Sequence, residues 1–144
     1  MPSGSCFCGA LRYSFEGDPS YKAYCHCLTC RKITGSNAAM TALVPDANFS
    51  TSSESSPQYK TYTVTHETGI PLTYSFCANC ATVCWKTAGA GWPDHHIIFA
   101  GTLDGEGTLE KLKPDAEFWI KYRVPWVKDL GDTGVMQCQG FPEN

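Results

Sequence analysis

A chain of 144 residues is the size of one ordinary domain, so a single core spanning residues 1–144 is expected. An apolar content of 42% with a formal charge of −3 excludes a disordered chain, and a pI near 5.7 argues against a nucleic-acid or anionic-membrane binder. The longest apolar stretch, Ile97 to Ala100, is too short to span a bilayer, and no secretory pattern follows Met1, so a cytoplasmic protein is expected.

In chain order, the first element is a β-rich run over Ala10–Glu16, closed by Glu16-Gly-Asp-Pro. A single helical turn is expected over Cys30–Thr34, then a strand over Asn37–Val44 stopped by Pro45-Asp. Ser50–Pro57 is of low complexity and reads as an exposed loop. Tyr59–Thr65 and Pro71–Phe76 flank the turn signal at Thr68-Gly. Thr82–Lys86, His95–Ala100 and Phe118–Arg123 complete the strands, and the glycine-rich tail after Val127 reads as loop. Neither a repeat nor a long helical stripe interrupts the pattern, which predicts an all-β domain of antiparallel strands.

Nine cysteines carry most of the functional information. The odd number, with no export signal, disfavours a disulfide scaffold. Seven of the nine lie in tight clusters: Cys6-x-Cys8, Cys25-His-Cys27-Leu-Thr-Cys30, and Cys77-Ala-Asn-Cys80. Soft thiolates without carboxylates select zinc or iron–sulfur over magnesium or calcium. Seven ligands fill one closed four-ligand site and leave a second site one ligand short, the distinction that separates structural from catalytic zinc. Cys25, Cys27 and Cys30 form a local set that is hard to divide between ions. Cys6, Cys8, Cys77 and Cys80 then make the closed site, stapling segments about 70 residues apart.

Several stretches bearing these cysteines resemble one known family. Gly4-Ser-Cys-Phe-Cys-Gly-Ala-Leu-Arg-Tyr, Cys25-His-Cys-Leu-Thr-Cys-Arg-Lys-Ile-Thr-Gly-Ser, Phe76-Cys-Ala-Asn-Cys-Ala-Thr and Gly101-Thr-Leu-Asp are similar, in that order, to the glutathione-dependent formaldehyde-activating enzyme (GFA) family. Centromere protein V belongs to the same superfamily, and Lys121-Tyr-Arg-Val-Pro-Trp resembles the family's late tryptophan segment. The resemblance implies an all-β tent fold with two zinc ions, one held by four cysteines and one by three. It also implies carbon–sulfur lyase chemistry joining glutathione to formaldehyde. Ala81 departs from the family, which usually has glycine after the last knuckle.

Zinc held by three thiolates keeps one net negative charge, which makes it a poor generator of hydroxide but a good holder of one more thiol. A glutathione thiolate held there could add to an aldehyde carbon; capture of the aldehyde by a ligand cysteine is the alternative first step. Arg31 and Lys32 are candidate substrate-binding residues for a glutathione carboxylate, or else partners that offset the thiolate charge. His26, between two ligands, is expected to point away from the ion, while His95 and His96 should face opposite sides of a strand. His66 reads as solvated, Cys84 as a buried free thiol and Cys138 as exposed. Trp92, in Gly89-Ala-Gly-Trp-Pro-Asp, would contact substrate if that loop covered the site.

Three functions fit: a glutathione–aldehyde lyase, a related zinc enzyme acting on a larger biosynthetic metabolite, or a zinc-stabilised interaction module. The expected partners are a small thiol such as glutathione and an aldehyde, without nucleic acid or membrane. An exposed edge strand permits a homodimer.

Overall fold

A computed structural model describes residues 1–142. The described residues form eleven strands and one helix, with short 3₁₀ turns between them. In order these are β1 (Ser3–Ser5), β2 (Arg12–Phe15), β3 (Tyr21–Cys25), α1 (Leu28–Thr34), β4 (Ala39–Pro45) and β5 (Phe49–Ser50). They continue with β6 (Tyr59–Thr65), β7 (Pro71–Cys77), β8 (Val83–Thr87), β9 (His95–Phe99), β10 (Ala116–Phe118) and β11 (Met136–Gln137). No helix among the described residues is long and apolar enough to cross a membrane.

An eight-stranded sheet runs in the order β11-β10-β3-β4-β9-β8-β7-β6, and a three-stranded sheet in the order β1-β2-β5. β4 and β9 lie at the centre of the large sheet, and alternation sends their side chains to two separate cores. Ala39, Leu43, Ile97 and Phe99 join the first core with α1's Cys30 and with Trp119. Ala42, Val44 and Ile98 join the second, where Leu11, Tyr13 and Phe15 of the small sheet cover them. Within that small sheet the Tyr13 ring lies over Gly4 and leaves no room there for a Cβ.

The all-β reading with a zinc-type cysteine framework describes this fold, and the differences are local. β3 is an additional strand leading straight into the Cys25 knuckle. The strand expected over Phe118–Arg123 lies earlier, because Trp119 adopts φ 59 and turns the chain into a 3₁₀ turn. Pairing is antiparallel except at one edge, where β10 lies parallel to both β3 and β11. Ser50–Pro57 is largely exposed, but Ser53 is buried because its hydroxyl donates to Arg12 O at 2.9 Å and accepts from Arg12 N at 2.6 Å.

Candidate metal centres

The β1–β2 connection brings Cys6 and Cys8 onto the end of β7, where Cys77 and Cys80 form the second knuckle. All four Sγ atoms lie within 4.8 Å of one another. Cys6 is 3.7 Å from Cys8, and Cys8 is 3.6 Å from Cys77. Tetrahedral zinc with Zn–S bonds of about 2.3 Å requires sulfurs about 3.8 Å apart, so the spacing fits. Donors also converge on the sulfurs: Leu11 N–H on Cys6 at 3.2 Å, and Thr82 Oγ1 beside Cys80 at 3.2 Å. The Thr82 bond is the main reason that the Cys80 thiol is pulled down to about 5, whereas burial pushes Cys77 up to about 11.

Ala81 follows this knuckle at φ 67, with its N–H bonded to Cys77 O at 2.8 Å. A left-handed alanine costs about 1–2 kcal/mol. Glycine removes that cost but gains about 0.4–1 kcal/mol of unfolded-state freedom. Ala81→Gly is therefore expected to stabilise the zinc-loaded protein by about 1 kcal/mol in urea unfolding; a destabilised variant would contradict this balance.

The second cluster is local. Cys25 ends β3, Cys27 caps α1 by accepting the Cys30 N–H at 3.2 Å, and Cys30 sits in the first turn. Gly35, at φ 66, ends the helix. The three Sγ atoms lie within 4.8 Å of one another and all three residues are buried. Hydrogen bonds among the thiols divide their acidity. Those to Cys25 and Cys27, aided by Lys86, hold Cys30 well below its ordinary range. Hydrogen bonds to Cys27 and Cys30, with burial, hold Cys25 well above it.

Lys86 is the main feature absent from the sequence reading. It is 8% exposed, with Nζ 3.8 Å from Cys30 Sγ and 5.7 Å from the ring centres of both Tyr74 and Phe99. Burial works to discharge this lysine, but the negative charge of Cys30 beside it outweighs burial and keeps the ammonium charged. The cluster's surplus negative charge therefore meets a buried cation supplied by β8.

A narrow cleft of about 30 Å³ opens beside the cluster. Cys25, Cys27, Lys86 and His66 supply its polar lining; Leu43, Leu72, Ile97 and Phe118 form apolar walls, with Trp92 and Phe141 against them. Trp92 stacks on Phe118 at 6.4 Å, and Phe141 meets Trp92 edge-on at 5.8 Å. Trp92 thus lies at the cleft.

Arg31 and Lys32 do not line this cleft. They occupy the last turn of α1, where Arg31 Nη1 is 3.5 Å from Tyr122 O and Lys32 is exposed. His66 is 2% exposed rather than solvated, because Trp119 and Phe141 close over it at 5.2 and 5.0 Å. His26 is fully buried away from the cleft, with Nε2 2.8 Å from Glu117 Oε1. Glu117 Oε2 in turn accepts from Leu130 N and Gln137 Nε2 at 2.8 and 2.7 Å, and pairs with Arg123. Cys84 is buried and Cys138 half-buried.

Both clusters can hold a metal ion, and an all-sulfur donor set at these separations suits zinc. The order and spacing of the knuckles agree with a family: the profile described as glutathione-dependent formaldehyde-activating enzyme matches residues 1–122, and the chain belongs to that family. Among solved structures, a Rhodobacter sphaeroides protein determined as a structural-genomics target superposes with a TM-score of 0.56 at 16% identity. The match covers 94% of this chain and 98% of that one, and shows a shared fold. The comparison with curated proteins found no match.

Proposed function

We propose that this protein is a carbon–sulfur lyase of the GFA type that joins the thiol of glutathione to formaldehyde or another small aldehyde. The single observation that carries this reading is a buried three-thiol cluster beside Lys86, with a largely apolar cleft lined by Cys25 and Cys27. Cys25, Cys27 and Cys30 would hold the second zinc, which supplies a place where an added thiol stays ionised and nucleophilic. Cys6, Cys8, Cys77 and Cys80 would hold the structural one.

The chain's own groups do the rest. Lys86 offsets the negative charge that a further thiolate would otherwise meet, because an uncompensated anion is expensive in an apolar surrounding. The apolar walls exclude water from the reacting carbon. The narrow, largely apolar cleft walled by Leu43, Leu72, Ile97 and Phe118 is compatible with a small aldehyde. Arg31 and Lys32, on the outer turn of α1, remain available to a glutathione carboxylate outside the cleft. Such an exposed pair contributes only about 0–1 kcal/mol, so the affinity must come from sulfur.

Glutathione is therefore expected to bind the cobalt-substituted protein with growing thiolate charge-transfer absorption, while S-methylglutathione leaves the spectrum unchanged. Binding releases the thiol proton, so affinity should rise about tenfold per pH unit until the free thiol ionises near pH 8.5. Equal binding of the two peptides would defeat the thiolate reading and favour an enzyme that polarises the carbonyl of a different metabolite.

A further inference from the structure

Addition of a thiolate to an aldehyde leaves negative charge on oxygen, and a donor must already be in place to receive it. The argument here rests on the lyase reading above and concerns His66. The Thr68 backbone N–H points at His66 Nδ1 across 3.1 Å. A backbone N–H can only donate, so Nδ1 is a bare acceptor and the ring hydrogen sits on Nε2. The Thr68 hydroxyl, 2.9 Å from the same nitrogen, must donate to it as well. Burial, then the charge of Lys86, lowers the pKa of the ring and agrees with this neutral form.

Nε2 is buried and has no hydrogen-bond partner among the described residues. Trp119 and Phe141 pack against the ring, and the residue lines the cleft that Cys25 and Cys27 also line. Buried donors are nearly always satisfied, so a fixed, unbonded N–H on a residue that lines the cleft points to a ligand atom that completes it. His26 Nδ1 and the Tyr74 hydroxyl are likewise buried and unbonded, but neither residue lines the cleft.

We propose that His66 Nε2–H is the catalytic donor that receives the aldehyde oxygen and stabilises it as an alkoxide. The sulfur electron pair forms the C–S bond while the C=O π pair moves onto oxygen. His66 keeps its hydrogen and contributes a hydrogen bond only. Water protonates the alkoxide, replacing the proton that the thiol released, and the product is the hemithioacetal.

Two variants separate this role from a structural one. His66→Asn can keep an acceptor for the Thr68 N–H but has no donor at the Nε2 position. His66→Gln places an amide N–H near Nε2 and gives up the Thr68 bond. In the zinc-loaded protein, His66→Asn is expected to lose about 10²–10³ in kcat with glutathione and formaldehyde, and His66→Gln to recover part of it. The cobalt–glutathione spectrum should be unchanged in both. A structural role predicts the reverse order, with His66→Asn active and His66→Gln impaired, and that order would overturn the proposal.

A second readout needs no turnover. Formamide, an unreactive one-carbon carbonyl, should move the His66 Nε2–H proton resonance downfield, saturably, in the ¹⁵N-histidine-labelled protein. A resonance indifferent to formamide would overturn the proposal even in an active enzyme. A cobalt spectrum indifferent to glutathione would remove the thiolate reading instead, leaving the formamide titration to decide whether His66 binds a carbonyl oxygen.

Discussion

Cys77→Ser should abolish the folded state, while Cys27→Ser should leave a folded protein that has lost one zinc. The asymmetry follows from what each cluster ties together. Cys77 and Cys80, at the end of β7, meet Cys6 and Cys8 from the β1–β2 connection about 70 residues earlier, and the small sheet covers the second core just beside this junction. Binding of a structural zinc contributes on the order of 10 kcal/mol to folding, comparable with the whole stability of a small domain at about 5–15 kcal/mol. Cys27 closes no such loop. Its cluster lies within one strand end and one helical turn, and the core around it is held by strands β3, β4 and β9. Circular dichroism with elemental analysis of both variants, purified without oxygen, gives the readout. A Cys77→Ser protein that is fully folded with one zinc missing would reverse the assignment of structural and open sites.

Lys86→Met is expected to weaken zinc binding at the three-cysteine site by about 10–100-fold while preserving the fold. Methionine fills the apolar path of the lysine stem past Tyr74 and Phe99 but brings no charge. Three thiolates around one divalent ion would then leave a net negative charge buried without a partner. Without the ammonium at 3.8 Å, Cys30 also loses part of what keeps it ionised, so the loss of zinc affinity should be larger at lower pH. Chelator competition at two pH values measures both effects. Arg31→Ala and Lys32→Ala serve as contrasts: neither side chain lines the cleft, and neither should shift zinc affinity. Unchanged affinity in Lys86→Met would show that the cluster's charge is balanced elsewhere.

The cysteine clusters were legible in the sequence because ligand spacing is a local property. Cys25-x-Cys27-x-x-Cys30 declares itself within six residues, and the paired knuckles declare the other four ligands. Lys86 was not legible, because a lysine at the end of Val83-Cys-Trp-Lys looks like a solvated strand terminus. Its burial depends on strands on either side, through the registers Tyr74↔Lys86 and Lys86↔Ile97. The one available hint was electrostatic: so many clustered thiolates require a cation nearby.

His66 misled for a related reason. Its neighbours Thr65, Glu67, Thr68 and Gly69 are exposed, and only the return of the distant Trp119 and Phe141 covers it. The parallel edge of the sheet was equally invisible, since β10 reaches β3 across most of the chain, β11 then adds to β10, and the turn signals report only on neighbouring strands. By contrast, β4, β7 and β9 were placed to within about two residues, because turn residues bracket β-rich runs there.

The two sulfur clusters differ in their access to solvent. Cys8 is exposed and Cys80 half-buried, whereas Cys25, Cys27 and Cys30 are all buried and reached only by way of the narrow cleft. A peroxide or alkylating agent meets the outer knuckles first, at the site that ties the β1–β2 connection to the end of β7. Chemical ageing should therefore take the form of lost shape before lost chemistry: molecules fail whole and become substrates for the cell's proteolysis. A population under oxidative stress would shrink in number while its survivors keep their full reactivity.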